Sequence, residues 1–192
     1  LSDWKDPRSL TDWRVLPIPD SSTHVDAVRL HVGSDGSSTL LVCFPAGWTR
    51  AVEGFYECAE EFVVLEGELH LSDFVFVSGD HGWVPARGAR GLTQTLVKTY
   101  ALAHFFGFPK WINDRVAEFD RTATKRHRNC EIGDLIRGDS GDGTHGSTYF
   151  RGAGENVTIE TGGEAITVDG LWSELLPDEI VTLPANAFVR SN

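Results

Sequence analysis

The sequence predicts an all-β chain. From Asp26 to Phe106, short β-branched and aromatic runs alternate with Gly, Asp and Ser, and strand-type runs resume beyond Arg128. Strands of that length and spacing build a sandwich or small barrel. The 192 residues, 41% of them hydrophobic, allow one domain or two small halves with a sizeable core.

The first elements are Val28 to Val32 and Thr39 to Phe44, joined by the hairpin turn Gly33-Ser34-Asp35-Gly36. Strand runs follow at Phe62 to Leu65, Glu68 to Val77, Gly82 to Val84, Leu92 to Val97 and Thr99 to Phe106. Ile112, Val116 and Phe119 fall at helical spacing, which predicts one short connecting helix from Ile112 to Phe119. The basic run Lys125-Arg126-His127-Arg128 then reads as a solvated linker. The expected organisation is a barrel over residues 1–108, helix and linker over 109–128, and a second, smaller β unit over 129–192.

Lys and Arg total 17 against 28 Asp and Glu, a formal charge of −11. That balance argues against a nucleic-acid partner, because such a surface must neutralise phosphates. No apolar run approaches the roughly 18 residues of a membrane span, so no membrane partner is expected. Cys43, Cys58 and Cys130 have neither disulfide-framework nor zinc-knuckle spacing, and Leu1-Ser2-Asp3-Trp4-Lys5 lacks a secretory pattern. A cytoplasmic protein is the expectation.

The order of features repeats. Leu30 to Gly36 leads to Cys43-Phe44-Pro45-Ala46-Gly47, and Leu135 to Gly141 leads to Tyr149 through Gly154. Gly67-Glu68 and Val84-Pro85-Ala86 are echoed by Gly163-Glu164 and Leu183-Pro184-Ala185. The interval from Gly47 to Gly67 shrinks, in the second copy, to the interval from Gly154 to Gly163. An internal duplication with a shortened second copy explains this.

The longer interval carries the most specific pattern. Gly47, Glu53, Phe55, Glu60 and Gly67 are spaced as in the first motif of the cupins, and Gly79, Pro85, Arg90 and Gln94 as in the second. The chain therefore resembles a cupin, and with its duplication a bicupin whose second half is degenerate. The resemblance implies a jelly-roll β-barrel, a pocket for a small molecule lined by the motif strands, and a possible homodimer. It also implies a divalent metal on two histidines, a glutamate and a third histidine. Of these the sequence keeps only Glu60; Glu53 or Gly54 and Phe55 or Tyr56 occupy the first two positions, and Arg90 the last. A guanidinium does not ligate a metal and repels a dication, so no metal or other cofactor is expected. The alternative is an unusual metal site built from His31, His70, His81 or His104.

Strand alternation from Glu60 places Phe62 and Val64 on its face, with Glu61 and Val63 opposite. Glu60 and Arg90 then form either a structural pair that closes the barrel or a working pair. In the working version Glu60 is a general acid or base, Arg90 anchors an anionic group, Tyr56 donates to an oxyanion and His104 is a second proton carrier. Glu53, Phe62, Trp48 and Gln94 complete the expected substrate contacts. The implied activity is that of an isomerase, cyclase or lyase on an anionic or carbonyl-containing small molecule, without metal. A non-catalytic cupin holding an acidic metabolite or sugar and a metal-dependent dioxygenase are the alternatives.

Overall fold

The computed structural model describes residues 3–114, 120, 122–138 and 146–191. The chain divides into two compact units, Leu10–Arg128 and Leu1–Ser9 with Asn129–Asn192. Among the described residues the regular structure is β-strand, apart from a 3-10 turn at Pro7–Ser9. Among the described residues no helix is long and apolar enough to cross a membrane.

Two main antiparallel sheets and a two-stranded one, Phe55–Tyr56 with Trp111–Ile112, form the Leu10–Arg128 unit. The larger runs Arg14–Leu16, Val25–Val32, Ser38–Phe44, Thr99–Phe105, Glu60–Glu66, His81–Val84 and Lys125–His127. The smaller runs Thr49–Arg50, Thr93–Gln94, Glu68–Leu71 and Phe74–Val77, so the chain crosses repeatedly between sheets as in a jelly roll. The turn at Gly33 to Gly36 joins two paired strands, and the run Glu68 to Val77 is itself a hairpin.

Alternation along Glu60–Glu66 decides which side chains meet. Phe62 and Val64 enter a core with Leu69, Leu71 and Phe76 of the smaller sheet and with Ala103 and Phe105 of the neighbouring strand. Glu61 and Val63 lie on the opposite face and are buried as well, so the strand reads as a continuous run. Gly82 is required opposite Phe62, because a Cβ there would stand 2.2 Å from the ring's Cζ.

The second unit repeats the pairing order on a smaller scale. Its main sheet runs Leu135–Arg137, Thr148–Arg151, Ala187–Ser191, Gly163–Thr167 and Trp172–Leu175. The last four strands pair in the order of Thr49–Arg50, Thr93–Gln94, Glu68–Leu71 and Phe74–Val77. Asn156–Thr158 pairs with Ile180–Thr182 as Glu60–Glu66 pairs with His81–Val84. Its core gathers Val157, Ala165, Leu175, Val181, Leu183, Ala187 and Val189, with Trp4 packed against it.

Three sequence expectations change. Ile112, the first residue of the expected helix, lies instead in the strand Trp111–Ile112, paired with Phe55–Tyr56; residues 115–119 of that helix lie outside the described residues. Lys125–His127 is an edge strand on His81–Trp83, and Arg128 donates to the Asp80 carboxylate, so the basic run is built into the sheet instead of linking units. Leu1–Ser9 groups with the second unit, where Lys5 and Trp172 exchange backbone hydrogen bonds.

Candidate functional site

The site in the Leu10–Arg128 unit is assembled by backbone pairing at three places. Gly54 and Arg90 exchange backbone hydrogen bonds of 3.0 and 2.7 Å, which sets Arg90 beside the Phe55–Tyr56 strand. Arg50 is paired with Thr93 across the smaller sheet, and Glu60 with Phe105 across the larger. A Cβ at Gly54 would stand 2.2 Å from Trp111 Cζ2, so only glycine lets that indole lie across the strand.

Arg50, Tyr56, Glu60 and Arg90 line one cavity of about 60 Å3. Phe44, Trp48, Phe62, Leu69, Leu71 and Phe105 supply much of its apolar wall. Arg90 Nη1 donates to Glu60 Oε2, and the Arg90 guanidinium carbon lies 4.7 Å from the Tyr56 ring centroid. Arg50 Nη1 donates to the Tyr56 hydroxyl oxygen at 3.1 Å. The Arg50 guanidinium carbon lies 3.8 Å from the Trp111 ring centroid. Trp111 is anchored in turn by its Nε1–H to Asp20 Oδ2 at 2.7 Å.

Burial makes the electrostatics consequential. Arg50 and Arg90 are each 3% exposed and Glu60 8%. Two buried guanidiniums therefore face one buried carboxylate. Burial pushes the Arg50 pKa below its ordinary value; the neighbouring Arg90 charge acts in the same direction, while Tyr56 and Glu60 offset part of it. Arg50 Nε and Arg90 Nε and Nη2 are buried without a hydrogen-bond partner. A buried guanidinium N–H without an acceptor is costly, so these are the atoms at which an added acceptor, water included, would gain most.

Of the residues expected to form the site, Glu60, Tyr56, Arg90, Phe62 and Trp48 line this cavity. Trp48 donates its Nε1–H to the Thr23 carbonyl at 3.0 Å, so it contributes an apolar wall. His104 does not reach the cavity. Its strand neighbour Phe105 pairs with Glu60 and faces inward, so parity sends His104 to the opposite face, where its Nδ1 meets Thr39 Oγ1 at 2.8 Å. Glu53 and Gln94 are not among the lining residues either: Glu53 precedes the Gly54 bridge, and Gln94 sits in the short strand between Thr49 and His70. Sequence reasoning missed Arg50, Trp111 and Thr93. Arg50 falls within the interval from Gly47 to Gly67, and an arginine there was the available signal.

No family model matches the sequence, and no curated protein matches it. Solved structures do. A "putative dioxygenase" from Nostoc punctiforme is 14% identical, over 98% of this chain and 81% of that one, with a TM-score of 0.69. The protein YlbA from E. coli is 12% identical, over 98% of this chain and 85% of that one, with a TM-score of 0.54. A protein from Ralstonia eutropha described as having a cupin-like fold matches 53% of this chain and 65% of its own, at 12% identity and a TM-score of 0.40, too low to carry weight. The chain has a cupin fold. The first two likenesses span nearly its whole length, and at these identities they speak to fold alone.

The cupin resemblance implies a divalent metal held by histidines and a glutamate, and the residues present do not fit one. The single carboxylate among the cavity-lining side chains is already held by Arg90, and a second guanidinium adjoins it. Among the described residues no group of three His, Cys, Asp or Glu side chains is arranged to hold a metal ion. Where the metal ligands would be expected, the cavity of this cupin-fold chain has two arginines, Arg50 and Arg90, against one carboxylate.

Proposed function

We propose that this cupin recognises a small acidic molecule in the Leu10–Arg128 barrel, with Arg90 and Arg50 as the anchoring cations. The observation that carries the reading is the unpartnered Nε and Nη2 edge of Arg90, a buried residue that together with Arg50 lines a cavity containing one carboxylate. A guanidinium that uses Nη1 for Glu60 retains that edge for two parallel hydrogen bonds to an acid. The anchored acid also neutralises the surplus buried charge.

Trp48 lines the cavity and Trp111 stacks on Arg50, so intrinsic fluorescence reports on occupancy. Titration with a panel of small organic acids at constant ionic strength is expected to give a saturable change, with no change from the corresponding amides. A flat response to every acid overturns the proposal.

Turnover is a second reading, supported by the neighbourhood of Glu60 and Tyr56. The Tyr56 oxygen accepts from Arg50, which leaves its own proton to donate, while Glu60 supplies a carboxylate at the same cavity. In an isomerase, cyclase or lyase, Glu60 would remove a proton beside the carbonyl and Tyr56 would donate to the developing oxyanion. Deuterium incorporation next to the carboxylate in D2O, lost in Glu60→Gln, is the expected signature; absence of exchange by the wild type leaves binding without turnover.

A further inference from the structure

We infer that the acid is a short monocarboxylate of two or three carbons, its carboxylate held by Arg90 through Nε and Nη2 with Arg50 as the second cation, and its alkyl end on the apolar wall. This rests on the anion-binding reading above and goes on to name the ligand class.

Four observations converge on that class. The first is donor geometry. Nε–H and Nη2–H of one guanidinium point the same way and suit two oxygens on one carbon; both are buried on Arg90 without a partner. The second is charge. Arg50 and Arg90 against Glu60 leave one surplus positive charge, which a monoanion cancels and a dianion reverses, and a reversed charge in a site this buried is costly.

The third observation is size. The cavity of about 60 Å3 is less than half of the ~150 Å3 that accepts a benzene molecule, so it suits a molecule smaller than benzene, such as acetate or propionate. Pockets for larger metabolites run to several hundred Å3. The fourth is the wall. Seven of the twelve lining residues are apolar: Ile18 and the six aromatic and leucine side chains already named. The Trp48 N–H is already committed to Thr23, so a third oxygen directed at that wall would lose its water without compensation, whereas a methyl group gains from the same contact. This separates a short carboxylate from bicarbonate and nitrate, which match it in charge and planarity.

The test is calorimetric titration of the full chain, at one ionic strength, with the sodium salts of acetate, propionate, bicarbonate, nitrate, phosphate and oxalate. Acetate or propionate is expected to bind at least tenfold more tightly than the other four. Arg50→Gln is expected to weaken that binding tenfold or more, and Arg50→Lys, which keeps the charge without the planar fork, to recover part of it. Arg50→Lys also serves if Arg50→Gln does not fold. Bicarbonate or nitrate binding as tightly as acetate overturns the alkyl-end assignment, and tighter phosphate or oxalate overturns the monoanion assignment; in both cases the anion-binding reading survives. Acetate binding that both Arg50 variants leave unchanged overturns the placement of the carboxylate, and failure of all six anions overturns the inference together with the reading beneath it.

Discussion

The Arg50 guanidinium stacks on Trp111 with 3.8 Å between its carbon and the ring centroid, and Asp20 holds that ring from its far edge by accepting the indole N–H at 2.7 Å. Asp20 Oδ2 also accepts from Asn113 Nδ2 at 2.7 Å, so one carboxylate oxygen fixes both ends of the short segment covering Arg50. A cation over an indole contributes about 0.5–2 kcal/mol. Trp111→Leu is therefore expected to weaken binding of the acid by roughly two- to thirtyfold while the far-ultraviolet spectrum is retained. Unchanged affinity would show that the stack merely covers Arg50.

Arg90 is expected to act in stability and in binding. Arg90→Ala strands Glu60 as a buried unpaired charge and should cost about 3–5 kcal/mol in denaturant unfolding. Adding Glu60→Gln removes that charge and should restore much of the loss. Binding should stay weakened by roughly ten- to a hundredfold in the double variant, because the bidentate edge is gone. Full recovery of binding together with stability would mark Arg90 as structural.

Cys58 is buried, and burial, with the nearby Glu60 charge adding to it, raises its thiol pKa to about 11 from the ordinary 9.0. Above about pH 9 the unfolded chain releases a proton that the folded chain keeps, so this contribution is complete below that pH and is lost as pH rises towards 11. Alkaline unfolding curves should show stability falling across that window, with a shallower fall in Cys58→Ala. Thiol labelling at pH 8 should leave Cys58 unmodified in the folded protein; rapid labelling there contradicts the assignment.

Gly82 is expected to tolerate no side chain while Phe62 remains. A methyl group there would stand 2.2 Å from the Phe62 ring, so Gly82→Ala should cost about 1–3 kcal/mol in thermal or denaturant unfolding. Combining it with Phe62→Leu should recover part of that cost, because the clash is with the ring. An additive loss in the double variant would place the strain in the backbone.

The parts of the site that could be read in the sequence are those governed by period-two alternation over a long strand. Glu60, Phe62 and Val64 share one face because seven consecutive residues are extended there, and the spacing from Gly47 to Gly67 located that strand. His104 shows how narrowly such reading succeeds: one position along, Phe105 faces the cavity. Arg50 and Trp111 belong to two-residue strands, which are too short to carry a period; their places are fixed by pairing with Thr93 and Tyr56, distant in sequence. The local pattern of Ile112, Val116 and Phe119 resembled a helix, while Ile112 is committed by pairing with Phe55. Lys125–His127 looked soluble because its charges are exposed, yet strand edges accept such residues readily when the backbone is paired.

The shortened strand of the second unit changes how selection acts on the two copies. Asn156–Thr158 is three residues long where Glu60–Glu66 is seven. Substitutions at Val157, Val181 or Leu183 are filtered by fit and volume, so interchange among similar aliphatic side chains carries little penalty. At Arg50 and Arg90 the filter is opposite in kind: a packed, apolar replacement of like size relieves the buried charge and removes the proposed anchor, so drift towards a more stable barrel would be drift away from the proposed ligand.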